Sequence, residues 1–183
     1  RLRALYEQGK SGSGEFLELV AEMRTERQAL SSGHFDSVLK SIRELLDYAA
    51  PRKVRLGIEN RYHYLEFPSP DELEILLSMG GEDTIGFVLD VGHAYTLDRL
   101  GFYPFQEWLE RFSTRIIGTH LHDVVGLADH FAPGLGEIDF ELVGRYLPGV
   151  ANRTCEFQAF NNYEQVKAGL KYLFDHHCVN IIH

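Results

Sequence analysis

Hydrophobic positions change their period once along the chain, near residue 52. Before that point Phe16, Leu17, Val20, Met23 and Leu30 suit an amphipathic helix over 15–30. A second stripe of Val38, Leu39, Ile42, Leu45 and Leu46 predicts a helix over 35–49. Asp36 and Ser37 suit its start, Pro51 follows its end, and the earlier stretch GKSGSG reads as a flexible turn. Beyond residue 52 the apolar residues come in short continuous runs. Residues 53–59, 84–90, 115–120 and 153–157 predict four strands. Pro70 and Asp71 start a helix, DELEILLSM, that Gly80-Gly81 ends. Further helices are predicted around 105–112, 140–147 and 163–176.

Continuous apolar strands alternating with helices predict an α/β fold with a parallel sheet covered on both faces. An eight-stranded (β/α) barrel takes ~250 residues. Two helices followed by four βα units therefore read as the carboxyl-terminal half of such a barrel. Residues 1–183 are expected to form a single domain, with 1–51 as a helical lead-in and 52–183 carrying the βα units. A half barrel exposes two sheet edges and an apolar inner face, so it should need its missing half or self-association. The chain opens with Arg1 in helical sequence and reads as a piece of a longer protein.

Composition narrows the function classes. Eighteen Lys plus Arg against 27 Asp plus Glu leave a net charge of −9, which argues against a nucleic-acid partner. No apolar run approaches the ~20 residues needed to cross a bilayer, so no membrane partner is expected. Cys155, in a core strand, and Cys178 lack metal-finger spacing and read as reduced thiols of a cytoplasmic protein.

The candidate chemistry sits at the strand ends. Glu59, Asp90, His120 and Glu156 each close one of the four apolar runs. A lone carboxylate at such a place is often a cap for the next helix. Four ligand-type residues at successive strand ends instead predict a shared, open site for a divalent cation. His93, three residues after Asp90, either faces the same cavity or begins the next helix. His122 shares a face with His120 if the strand persists. Asp123 either orients a ligand imidazole or forms an Asx turn. His130, in the loop DHFAPGLGEIDF, suits a lid over the cavity. Asn60 and Arg61 are candidates to hold substrate hydroxyls or a phosphate, with a surface charge as the alternative for Arg61. GLG in that loop is not a dinucleotide fingerprint. His34, His176 and His177 read as helix-end residues, and His63 is left ambiguous.

Taken in order, IEN, LDVGHA, GTHLHD, DHFAPGLGEIDF and CEF resemble the xylose-isomerase-like TIM barrel superfamily over residues 54–177. That group contains sugar-phosphate isomerases and epimerases and the endonuclease IV type of apurinic-site nuclease. The resemblance implies that Glu59, Asp90, His120 and Glu156 ligate one divalent ion: manganese, magnesium, cobalt or zinc. It implies that His93 and His130 touch substrate, or a further zinc in the nuclease, and that the first four strands of the family barrel are absent. The implied activity is isomerisation or epimerisation of a sugar or sugar phosphate through an enediolate, with Glu59 and Glu156 as base and acid. One alternative is a zinc phosphodiesterase acting at abasic DNA; another is a metal-binding module that turns nothing over. The nuclease pattern has an aspartate two residues before the loop histidine, where this chain has Ala128, with Asp129 as a possible substitute. The ketohexose epimerases have a glutamate and an arginine where this chain has Leu65 and Gly126.

Overall fold

The computed structural model describes residues 1–147, 149–150 and 152–180. Its amino-terminal part is helical: α1 (Leu2–Glu7) packs on α2 (Gly14–Ala49), a helix of 36 residues. The two helices expected over 15–49 are thus one. Gly33 costs a helix only about 1 kcal/mol relative to alanine. Ser37, which reads as a start residue, instead turns its hydroxyl back onto the carbonyl of Gly33, as Ser41 does onto that of Ser37. The N-cap is earlier, at Ser13, whose Oγ accepts the Phe16 N–H. Phe16 and Val20 anchor one end of α2, and Leu46 and Ala49 the other.

Four parallel strands follow in the spatial order β1 (Leu56–Glu59), β2 (Ile85–Asp90), β3 (Ile116–Leu121), β6 (Asn152–Cys155). Between β1 and β2 runs α3 (Pro70–Ser78), started by a reciprocal capping box between Ser69 and Glu72. Between β2 and β3 run α4 (Val91–Arg99) and α5 (Phe105–Phe112). After β3 comes an antiparallel hairpin, β4 (Asp123–Val125) and β5 (Ala128–Phe131), then α6 (Phe140–Tyr146). The last helix, α7 (Tyr163–Asp175), follows β6. The hairpin replaces the loop expected around His130, and α4 begins directly at Asp90 with no intervening loop.

The outer face of the sheet carries the core. Ile85, Phe87 and Leu89 point toward the helices, where Phe87 meets Trp108 at 5.9 Å and Phe112 at 5.7 Å between ring centroids. On the inner face Val88 and Ile117 lie flat across neighbouring strands. They can do so because Gly57 and Gly86 lack Cβ atoms, which would stand 2.6 Å from Val88 Cγ2 and 2.3 Å from Ile117 Cγ2. Among the described residues β1 and β6 each pair on one side only, and no helix is long and apolar enough to cross a membrane.

One irregularity decides what the inner face presents. Phe87 pairs with Ile116, but Val88 pairs with Gly118, so Ile117 is an extra residue in β3. With an unbroken register Thr119 would stand opposite Asp90, and His120 would turn toward the helices. The bulge re-phases the strand and sets His120 beside Asp90 on the inner face.

Candidate metal centre

The carboxyl ends of the four strands bring Glu59, Asp90, His120 and Glu156 together. Glu59 and Asp90 are the last residues of β1 and β2, and His120 is the penultimate residue of β3. Glu156 lies one residue past β6, but its N–H donates to the Leu121 carbonyl at 3.1 Å and so keeps the strand register. The convergence is on one atom. His120 Nδ1 stands 3.2 Å from Glu59 Oε1, 3.5 Å from Asp90 Oδ2 and 3.2 Å from Glu156 Oε2. It is buried and makes no well-directed hydrogen bond to any of them. Three carboxylate oxygens packed around one nitrogen repel each other unless a positive charge lies among them.

The electrostatics follow from that crowding. Burial alone would raise the Asp90 pKa, but the His120 and His122 imidazoles outweigh it and hold the carboxyl well below the ordinary carboxylate range. Asp90, followed by Glu59 and Glu156, pushes His120 up to about 9 against the effect of its partial burial.

Asp90 is the most constrained member. It is completely buried, and its Oδ1 caps α4 by accepting the His93 N–H at 2.8 Å. Asn60 reads its backbone: the amide oxygen accepts the Asp90 N–H at 2.8 Å and the amide nitrogen donates to the Asp90 carbonyl at 2.9 Å. Asn60 is fully buried, with both amide atoms engaged by the Asp90 backbone. Arg61, by contrast, is exposed, 3.5 Å from Glu59 Oε2 and 3.9 Å from Glu66 Oε1.

Three histidines line one side. His93 lies in the first turn of α4, with Nδ1 3.1 Å from the Asn60 carbonyl and Nε2 3.9 Å from Asp129 Oδ2. His122 is completely buried, its Nε2 3.0 Å from Asp90 Oδ1. His130 lies on β5 with Nε2 3.6 Å from Glu156 Oε1 and Nδ1 3.0 Å from Asp129 Oδ1. Its backbone has φ +64°, a left-handed conformation unusual for a residue with a Cβ. Ligand-type atoms within 4.8 Å of one another group as Glu59–Asp90–His120, Asp90–His122–Glu156 and His93–His122–His130.

One neighbour carried no clear sequence signal. Tyr62 packs edge-on against the His93 ring at 5.6 Å and donates its hydroxyl to the Leu127 carbonyl. Its phenol is one of several aromatics in RYHY, and nothing in that run singles it out. Asp123 touches no imidazole; it is buried and accepts from the backbone N–H groups of Val124, Gly134, Gly136 and Ile138. That is the turn-forming reading of this residue, extended to a whole loop. His63 is exposed in the loop after β1, and His176 bonds the Tyr172 carbonyl at the end of α7.

Comparison with known proteins bears on the fold and the family. No curated protein matches the chain. Among solved structures, a D-tagatose 3-epimerase-like protein superposes with a TM-score of 0.65 at 22% identity, covering 81% of this chain and 56% of its own. The 3-keto-D-glucoside 4-epimerase of E. coli gives 0.58 at 18% identity, covering 78% and 54%. A sugar phosphate isomerase/epimerase of Parabacteroides distasonis gives 0.54 at 18% identity, covering 74% and 50%. The chain thus spans about half the length of these structures, and its parallel sheet and helices match part of their barrels. A family model described as xylose isomerase-like TIM barrel matches residues 15–176. With most of its length matched by that model, the chain belongs to the xylose isomerase-like TIM barrel family.

Proposed function

We infer that Glu59, Asp90, His120 and Glu156 hold one divalent cation, and that the protein is a metal-dependent isomerase or epimerase of a sugar or sugar phosphate. The observation that carries this reading is the set of three carboxylate oxygens 3.2–3.5 Å from His120 Nδ1. Three oxygens and one imidazole nitrogen are a donor set that suits manganese, magnesium, cobalt or zinc. When bound, such an ion supplies Lewis-acid stabilisation to the neighbouring oxygens of a hydroxy-carbonyl sugar. The two glutamates are arranged to move the proton. Each turns one oxygen to His120 and keeps the other clear of it. Glu59 Oε2 faces Arg61 at 3.5 Å, and Glu156 Oε1 faces His130 Nε2 at 3.6 Å. One removes a proton from the carbon beside the carbonyl; the other returns it from the opposite side. His130 and Arg61 sit where they stabilise whichever glutamate is ionised.

Elemental analysis tests the centre directly. One ion per chain is expected, lost in both His120→Ala and Glu156→Ala. Deuterium exchange at the carbonyl-adjacent carbon, followed by NMR over a panel of ketoses, aldoses and their phosphates, then tests the chemistry. Glu59→Gln and Glu156→Gln should each slow exchange about 10²–10⁴-fold. A protein that takes up no ion from excess manganese or zinc would refute the shared centre. Uptake of one ion with no exchange on any sugar would leave a binding module.

A second reading has one observation in its favour. Asp129 lies 3.0 Å from His130 and 3.9 Å from His93, so a carboxylate stands beside both histidines although position 128 is alanine. About three ions per chain would favour a zinc phosphodiesterase.

Cation uptake should also depend on pH in a defined direction. His120 keeps its proton up to about 9, and a cation taken at Nδ1 must displace it. Affinity for manganese should therefore rise roughly tenfold per pH unit from 6.5 to 8.5 and level off near the His120 pKa. Calorimetry in buffers of different ionisation enthalpy at pH 7.5 should show about one proton released per ion. An affinity that does not change over this range would remove His120 from the ligand set.

A further inference from the structure

His122 belongs by distance to two of the groupings that could hold a cation, yet its surroundings use up both ring nitrogens. Nδ1 accepts the backbone N–H of His130 at 3.0 Å. A nitrogen that accepts carries no proton, so the ring is the tautomer with its proton on Nε2. That proton points at Asp90, whose two oxygens lie 3.0 and 3.2 Å away. Neither nitrogen keeps a lone pair for a metal.

The ring is also walled in place. It stacks on the His130 imidazole at 4.2 Å with 5° between the planes. On another side it presses on Gly92, where a Cβ would stand 2.0 Å from His122 Cε1. The ring is thus packed between α4 and the hairpin.

These contacts join three parts of the centre. On the strand side, His122 and the His93 N–H both hold Asp90 Oδ1, while Oδ2, 3.2 Å from the same His122 Nε2, lies 3.5 Å from His120 Nδ1. On the hairpin side, His122 receives the amide of His130 and so supports its left-handed backbone. The carbonyl of the same His130 is held by the Asn161 side chain at 2.8 Å and the Gln158 N–H at 3.2 Å, both in the segment after Glu156.

We propose that His122 is a positioning residue and not a ligand: a neutral imidazole that fixes the Asp90 carboxylate and the turn at His130 with its two nitrogens. The part of this that concerns cation affinity rests on the centre inferred above; the ring's tautomer and its hold on His130 do not.

Three substitutions separate the roles. His122→Gln places an amide N–H where Nε2 was, His122→Asn places an amide oxygen where Nδ1 was, and His122→Leu removes both. Cobalt titration of each folded variant, with circular dichroism as the check on fold, reads out affinity and the visible spectrum of the bound ion. His122→Leu should weaken cobalt binding about 10–100-fold and shift the spectrum. His122→Gln should recover most of the affinity, and His122→Asn little of it. Equal losses in Gln and Leu, or no loss in Leu, would overturn the proposal.

A readout on the unsubstituted protein without metal stands apart from the cation reading. Long-range ¹H–¹⁵N correlation at pH 7.5 should show His122 protonated on Nε2 alone, with a slowly exchanging amide at His130. A His122 protonated on Nδ1, or on both nitrogens, would overturn the proposal whether or not any cation binds. Absence of cobalt binding together with the expected tautomer would instead count against the metal centre and leave the positioning role standing. If His122→Leu does not fold, the Gln and Asn pair and the NMR measurement decide.

Discussion

Exchange of Arg27 for methionine should lower stability by about 3–5 kcal/mol, a large part of the roughly 5–15 kcal/mol that holds a domain folded. Arg27 is a charged residue of α2 that is 9% exposed. It forks onto Glu72, with Nη1 2.9 Å from Oε1 and Nη2 2.6 Å from Oε2. Its remaining donors reach the carbonyls of Tyr64 at 3.0 Å and Glu66 at 3.2 Å, and the guanidinium lies over the rings of Tyr64 and Phe67. Methionine fills similar space but leaves Glu72 buried beside no cation and two loop carbonyls without donors. The loop concerned follows Glu59, so the loss should loosen one wall of the metal centre as well. Urea unfolding followed by circular dichroism measures the effect. Arg27→Met combined with Glu72→Leu should regain part of the loss, because no charge is then stranded, though Glu72 also completes the cap of α3. A single-variant loss below about 1 kcal/mol would mean that the pair is effectively solvated.

The site was legible along the chain to the extent that its signals are local. An apolar run closed by Glu59, Asp90, His120 or Glu156 can be seen in seven residues, and the observed sheet brings all four ends together. Relations between distant residues could not be read that way. Nothing local marks Ile117 as a bulge, yet that extra residue decides which face His120 occupies. Asp90 ends a strand and caps a helix at once, so α4 has no start signal separate from the strand's end. In α2 Ser37 has the residue type of a helix start, but its hydroxyl bonds the Gly33 carbonyl within one continuous helix. Asn60 and His122 look like substrate ligands because their side chains could serve as such. Only the structure shows that Asp90 already occupies them.

Asp123→Ala should be comparably damaging, at about 3–5 kcal/mol, through four backbone groups and not through a side-chain partner. The carboxylate is 1% exposed and accepts N–H bonds from Val124 at 2.9 Å, Gly134 at 2.8 Å, Gly136 at 2.9 Å and Ile138 at 3.1 Å. Hydrogen bonds to a charged group are worth about 1.5–3 kcal/mol each, and water entering the vacated space replaces some of them. The segment is shaped around this anion: a Cβ at Gly136 would stand 2.5 Å from Asp123 Oδ1 and 2.2 Å from the Val124 carbonyl. The hairpin that carries His130 and the entry to α6 are tied together here, immediately after His122. Thermal unfolding should shift down by about 10 °C at this chain length. Amide exchange should lose protection first at Gly134, Gly136 and Ile138. Asp123→Asn sharpens the test. It keeps the shape but turns an NH₂ group toward N–H donors that Oδ2 now serves, so it should lose nearly as much as alanine. An asparagine variant as stable as the parent would show that a neutral acceptor suffices, and that the negative charge at Asp123 does not organise the loop.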